Sequence, residues 1–186
     1  VAVLIYKNPK AKPCEVCKTL FVPDRMGQVV CRPSCAMKKV RQAKVEERAK
    51  VRTRKEAIKT IPELIKEAQR EFNAYIRARD RDKPCICCGL PLGTGEVGGA
   101  YDAGHYRSTG SASHLRFNED NCHAQRKQCN RYGAGRAIDY RAGLILRIGL
   151  EAVQALESSN TPQKWTREHL VAIRDTYRAK LKEVKA

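Results

Sequence analysis

The sequence predicts an α+β, mostly helical protein in which two cysteine knuckles take over part of the work of an apolar core. Three observations lead there. The 186 residues hold nine cysteines, and most of them come as close pairs rather than dispersed. Aromatic residues make up 6%, with one Trp and three Phe, which is thin for a large core and favours small metal-stapled modules. Long stretches of charged residues with helical periodicity follow each cysteine region. The length leaves room for one or two small domains. Four segments result: an N-terminal four-cysteine zinc knuckle at 1–35, a basic and amphipathic helical region at 36–83, a central metal-stapled module at 84–136, and a C-terminal helical region at 137–186.

In the first segment Cys14, Cys17, Cys31 and Cys35 give a C-x2-C pair, thirteen residues, then a C-x3-C pair. Four thiolates suit tetrahedral Zn²⁺ and leave no open position, so this zinc is expected to be structural. Phe21 and Val29-Val30 lie between the pairs and are expected to form a short hairpin. The next stretch, from Ala36 to Lys59, carries ten Lys/Arg and three Glu with only scattered Val40, Val45 and Val51. It reads as a helix that is either wholly solvated or laid along phosphates. Pro62 then fits a first helical turn, and Leu64, Ala68, Phe72, Tyr75 and Ile76 recur on one face. Pro84 closes that helix.

Toward the C-terminus, 137–148 and 150–157 read as two short helices broken at Gly149, with Ile138, Leu144, Ile145, Ile148, Val153 and Leu156 on their apolar side. Thr166 is an N-cap for a last helix striped by Leu170, Ile173, Tyr177, Leu181 and Val184.

The central segment carries the chemistry. In order it presents Cys85, Cys87 and Cys88; Asp102-Ala103-Gly104-His105; Asn121-Cys122-His123; and Cys129-Asn130. Tyr101 to Gly104 can lie on a strand and turn leading to His105, Leu115-Arg116-Phe117 can be the second strand, and a helix is expected from about Asn121 to Cys129. The glycine-rich stretch at 93–99 lacks a following Gly-Lys-Ser/Thr and reads as a hairpin tip, not a nucleotide loop. His114 and His169 read as surface histidines.

Net charge is +17, with 37 Lys+Arg against 20 Asp+Glu, the footprint of a polyanion binder. Four thiolates around one Zn²⁺ carry a net −2, so two such sites still leave a strongly basic chain. A secreted disulfide scaffold is disfavoured. The cysteine number is odd, the spacings are those of metal knuckles, and Val1 to Tyr6 is too short and lacks the basic start of a signal peptide. A reducing, cytoplasmic setting is the expectation.

The segment resembles HNH endonucleases at His105, Asn121 and Asn130. The longer run DAGHYRSTGSASHLRFNEDNCHAQRKQCN, with Arg-Ile-Gly at 147–149 and the N-terminal four-cysteine knuckle, resembles the NinG/Rap recombination proteins of lambdoid phages over roughly residues 12–182. The resemblance implies a zinc-stapled HNH-like ββα-metal module and a phage recombination endonuclease. Such an enzyme would cut branched DNA, D-loops and Holliday junctions, alongside host strand-exchange machinery in the host cytoplasm. Paired nicks would suit a homodimer.

By the same resemblance His105 would be the general base, Asn121 would hold the loop and orient it, and Asn130 would stand where a ligand of catalytic Mg²⁺ or Mn²⁺ lies. The residue just before the base is Gly104, so Asp102 is the nearest carboxylate for the first ligand. The family-like return knuckle would be C-x2-C at 126 and 129, but position 126 is Arg126. Cys85, Cys88 and Cys129 are therefore three ligands of a second zinc. Cys122 or His123 is expected as the fourth, with Cys87 close but competing geometrically with its neighbours. Arg107, Arg116, Arg126, Lys127, Arg131 and Arg136 flank the motif as expected DNA phosphate clamps. A non-catalytic zinc-knuckle DNA-binding or scaffold protein is the other reading.

Overall fold

The computed structural model describes residues 10–93 and 100–186. The apolar opening Val1–Tyr6, and all of the glycine-rich stretch at 93–99 except Gly93, lie outside the described residues. The chain divides into two units, 1–59 and 60–186. The helical region read as one segment at 36–83 is thus split between them.

In the first unit, β1 (Lys12–Pro13) pairs antiparallel with β2 (Leu20–Phe21), with Lys12 opposite Phe21. The expected partner of Phe21, Val29-Val30, instead offers the Val29 carbonyl to the Glu15 amide at 3.0 Å. The reason is the knuckle turn: Cys14 and Thr19 bond across it at 2.9 Å, which folds 12–13 back on 20–21. Helix α1 (Pro33–Ile58) starts with Pro in its first turn, where a missing N–H costs nothing, and buries only Cys35.

The second unit opens with α2 (Ile61–Arg79). Thr60 and Glu63 form a reciprocal capping box, the Glu63 amide reaching Thr60 Oγ1 at 3.4 Å and the Thr60 amide reaching Glu63 Oε2 at 2.7 Å. The expected stripe Leu64, Ala68, Phe72, Tyr75 and Ile76 is buried. It packs on α5 (Arg167–Lys185), which buries Leu170 and Tyr177 and is capped by Thr166. Phe72 and Tyr177 meet edge-on at 4.8 Å. Val184, the last of the expected stripe on α5, is exposed.

Helices α3 (Ala137–Ile148) and α4 (Leu150–Ser158) break at Gly149, whose φ of +87° suits glycine. Tyr140, Leu144, Val153 and Leu156 form their core, while Ile138, expected on the apolar side, is exposed in the first turn.

The hairpin differs from the sequence expectation. Strand β3 (Tyr101–His105) is as expected, but its partner is β4 (Cys122–Arg126), with Asp102 opposite Gln125 and His105 opposite Cys122. The expected second strand, Leu115-Arg116-Phe117, is instead the end of a 3-10 turn, Ser113–Leu115, and the residues that follow it, and the expected 121–129 helix is replaced by β4 and a π-helical turn, Gln128–Tyr132. The pattern was hard to see because both faces of β4 are buried, the polar His123 and Gln125 included.

A buried carboxylate ties these parts together. Asp80 caps the C-terminal end of α2 and is fully buried. It accepts two hydrogen bonds from Arg79 (both 2.9 Å), one from Lys83 (3.0 Å) and one from the Ala124 amide of β4 (3.0 Å). Arg147 of α3 stands 3.8 Å away. Burial alone would raise its pKa, but Arg79 and Lys83 hold it well below the usual carboxylate range.

Replacing Asp80 by Ala should cost about 3–5 kcal/mol, because it leaves Arg79 and an amide without their partner. Urea unfolding of metal-loaded protein measures this. The depressed pKa fixes the sign with pH. Wild type should keep this contribution above pH ~4 and lose it on further acidification. Asp80→Asn should lack that acid limb.

Candidate metal centres and histidine site

The four sulfurs of Cys14, Cys17, Cys31 and Cys35 lie within 4.8 Å of one another. Cys17 and Cys31 are 3.5 Å apart, and Cys31 and Cys35 are 3.8 Å apart. A tetrahedron with Zn–S bonds near 2.3 Å has edges of about 3.8 Å, so the donor set fits zinc. Burial raises the Cys14 thiol, yet backbone N–H groups of Cys17, Cys31 and Val16 outweigh this and bring it down to about 6. Its neighbour Cys31 is pushed up to about 12, first by Cys17. Four such sulfurs cannot all ionise together without a cation between them.

The second cluster holds three sulfurs, Cys85, Cys88 and Cys129, also within 4.8 Å of one another. Cys85 and Cys88 sit on a tight turn closed by the Gly89 amide on the Cys85 carbonyl (3.0 Å), with Gly89 at φ +67°. The Arg126 amide donates to the Cys85 sulfur at 3.3 Å, and Arg136 approaches the Cys129 sulfur at 3.9 Å. The Cys87 thiol is the main influence on Cys85. With backbone N–H groups of Cys88, Arg126 and Cys87, it outweighs burial and lowers Cys85 to about 4. Helix α3 crosses directly over this turn: a Cβ on Gly143 would sit 1.8 Å from the Ile86 carbonyl oxygen, so only glycine fits there.

Neither expected fourth ligand belongs to this cluster. Cys122 stands opposite His105, four residues up β4 from Arg126 and so about 13 Å along the strand. Both ring nitrogens of His123 are engaged: Nδ1 accepts from Arg79 at 3.1 Å, and Nε2 donates to the Asp120 carbonyl at 3.1 Å. His123 is instead a neighbour of Asp80, 3.6 Å from its carboxylate. That centre was missed from sequence. Its signal was an Asp at a helix C-terminus, where the macrodipole disfavours an acid unless something specific holds it.

His105 ends β3. Its ring lies against Phe72 of α2, with centroids 6.1 Å apart. Nε2 is 3.0 Å from the Arg116 carbonyl, which can only accept, so Nε2 carries the proton and Nδ1 the lone pair. Nδ1 faces the Cys122 sulfur at 3.7 Å. Burial lowers the pKa most; the Arg116 carbonyl opposes this and the Arg116 guanidinium adds to it, so the ring is neutral at pH 7.

The loop after His105 is closed by Asn121, which is fully buried. Its Oδ1 accepts from the Arg107 amide (2.8 Å), and its Nδ2 donates to the carbonyls of Arg107 (3.0 Å) and Leu115 (3.2 Å). The loop that presents the Arg116 carbonyl to His105 is therefore pinned by one amide side chain. Tyr140 supports the hairpin from α3, donating to the Gly104 carbonyl (2.8 Å) and accepting from the His123 amide (3.1 Å).

Asp102 and Asn130 are brought together. Asn130 Nδ2 donates to Asp102 at 3.1 Å, and Arg131 takes both carboxylate oxygens at 2.7 and 2.9 Å. Strand alternation turns Asp102 to the face opposite His105. Among the described residues no group of three His, Cys, Asp or Glu side chains forms a metal seat beyond the two cysteine clusters. As arranged, Asp102 and Asn130 do not fit a catalytic cation.

The expected phosphate clamps divide. Arg107 caps the end of α4, donating to the carbonyls of Leu156 (2.8 Å), Glu157 (3.3 Å) and Ser159 and to Asn160 Oδ1 (3.0 Å). Arg116 donates to Gln69 (3.2 Å) and the Thr109 carbonyl (3.3 Å), and its Nε is buried without a partner. Arg131 is held by Asp102, and Arg136 pairs with Asp139 at 3.0 Å. Arg126 and Lys127 are half-exposed on the strand end. His114, expected at the surface, rests its Nε2 on Ser159 at 3.0 Å.

Asn121→Ala strands the Arg107 amide and should cost about 2–4 kcal/mol. Hydrogen exchange should show protection of that amide collapsing, while amides of α2 and α5 keep theirs relative to the lowered global stability.

A family model described as Bacteriophage Lambda NinG protein matches residues 6–186. The chain is 38% identical to Protein ninG of Escherichia phage lambda, covering 96% of this chain and 95% of the relative. It is also 38% identical to Protein ninG of Salmonella phage P22, covering 92% and 91%. No solved structure matches, and among the described residues no helix is long and apolar enough to cross a membrane. The match runs across both knuckles and the hairpin, and the chain belongs to the NinG family of bacteriophage proteins.

Proposed function

We propose that this chain is a phage recombination endonuclease that hydrolyses DNA phosphodiesters and prefers branched DNA. One observation carries the reading. A neutral imidazole, His105, is gripped at Nε2 by a loop carbonyl, and that loop is locked by Asn121. A general base needs a lone pair at neutral pH and a fixed ring. Nδ1 of His105 would take the proton from the attacking water, and the Arg116 carbonyl would steady the imidazolium as it forms. The net charge of +17 supports a polyanionic substrate. The preference for junctions and D-loops, the homodimer and the link to host strand exchange come from the family resemblance. Dependence on Mg²⁺ or Mn²⁺ belongs to the same expectation. Asp102 could serve it only after releasing Arg131.

Two observations favour a second reading, a zinc-stapled DNA-binding or scaffold protein without catalysis. Nδ1 faces the Cys122 thiol, and Asp102 is neutralised by Arg131.

Labelled four-way junctions, D-loops, linear duplex and single strands, incubated with Mg²⁺ or Mn²⁺, separate the two. On the nuclease reading, wild type nicks the branched substrates and His105→Ala loses at least about 10²-fold in rate. Undiminished cutting by the variant would remove His105 from the role. Binding without any product under either metal would favour the scaffold. Because the His105 pKa is lowered, the base form is present above it, so the acid limb of the cleavage rate should fall below pH ~6.5.

A further inference from the structure

We propose that Cys87 supplies the fourth thiolate of the second zinc site, completing Cys85, Cys88 and Cys129. The inference is independent of the nuclease reading. A closed zinc staple takes four ligands, and the cluster shows three. Cys122 and His123 are committed elsewhere, to His105 and to Arg79 and Asp120. Position 126 cannot contribute. Its amide already touches the Cys85 sulfur, so the backbone passes beside the cluster, but a guanidinium has no lone pair to give a metal.

Cys87 is the remaining thiol at this place. It packs against the small apolar cluster formed by Cys85, Leu92, Ala124 and Cys129, with its sulfur outside the set of three that lie within 4.8 Å of one another. Its other partners are replaceable. The Gln125 amide donates to its sulfur at 2.8 Å, and the Gly135 carbonyl lies at 3.7 Å. Gln125 also donates to that same carbonyl at 2.9 Å, so it keeps a partner when the sulfur leaves. Rotation about the Cys87 Cα–Cβ bond swings the sulfur off Gln125 toward the other three. Binding exchanges its S–H for a Zn–S bond, and the proton goes to solvent. Arg136, already directed at Cys129, offsets part of the net −2 of a four-thiolate zinc.

The test uses the full chain, stripped of metal and titrated with Co²⁺, whose thiolate charge-transfer absorption counts Co–S bonds. Wild type should show eight such bonds at two bound equivalents. Cys87→Ser should lose about a quarter of the second site's absorption, one bond in four. It should also bind that cobalt more than about tenfold more weakly. Adding Arg126→Cys to the Ser variant should restore both. Unchanged absorption and affinity in Cys87→Ser would overturn the assignment. A second readout needs no variant. In zinc-loaded wild type, iodoacetamide should label Cys87 only after a chelator is added, and equal labelling rates before and after would also overturn it.

Discussion

The second unit hangs on one buried carboxylate. Asp80 receives donors from its own helix end, from the following turn and from the central amide of β4, with Arg147 of α3 alongside. An ion so placed costs several kcal/mol of lost hydration and is tolerated only because its lone pairs are used. The return is positional. The network fixes where α2 ends, and so where the chain turns into Cys85. It also fixes the height of β4, and so which residue faces His105. Arg79 extends the same grip to the carbonyls of Glu119 and Cys122 at 3.2 and 2.9 Å. The metal knuckle and the histidine hairpin are thus held from one point.

Three kinds of signal were legible in the sequence. Helical periodicity gave α2 and α5, because each buries one face against the other. Glycine, first-turn proline and capping residues gave the break at 149 and the starts near Pro62 and at Thr166, since these are local backbone effects. Cysteine spacing gave the first cluster whole and three members of the second. Strand β4 was hidden for a physical reason. In Cys-His-Ala-Gln-Arg both faces are buried, and the polar side chains go inside only because Arg79 and the Asp120 carbonyl await His123, and Cys87 and the Gly135 carbonyl await Gln125. Those partners lie up to dozens of residues away, so no local pattern announces the strand. The same applies to Arg107: its donors are spent on α4, over fifty residues later in the chain.

The hairpin separates two side chains that lie close in sequence. Asp102 and His105 are three residues apart, and an odd interval on a strand means opposite faces. One face carries the imidazole against α2. The other carries a carboxylate already matched with Arg131 and Asn130. Asn121 belongs to the first of these. Its hydrogen bonds serve the loop that reaches His105.

The bare glycine at 143 has a larger meaning than its size. Helix α3 rests on the carbonyl of Ile86, inside the turn that the second ion would shape. The same helix sends Tyr140 into the hairpin and Arg147 to Asp80. Helix α3 therefore couples the shape of that turn to the hairpin and to the end of α2.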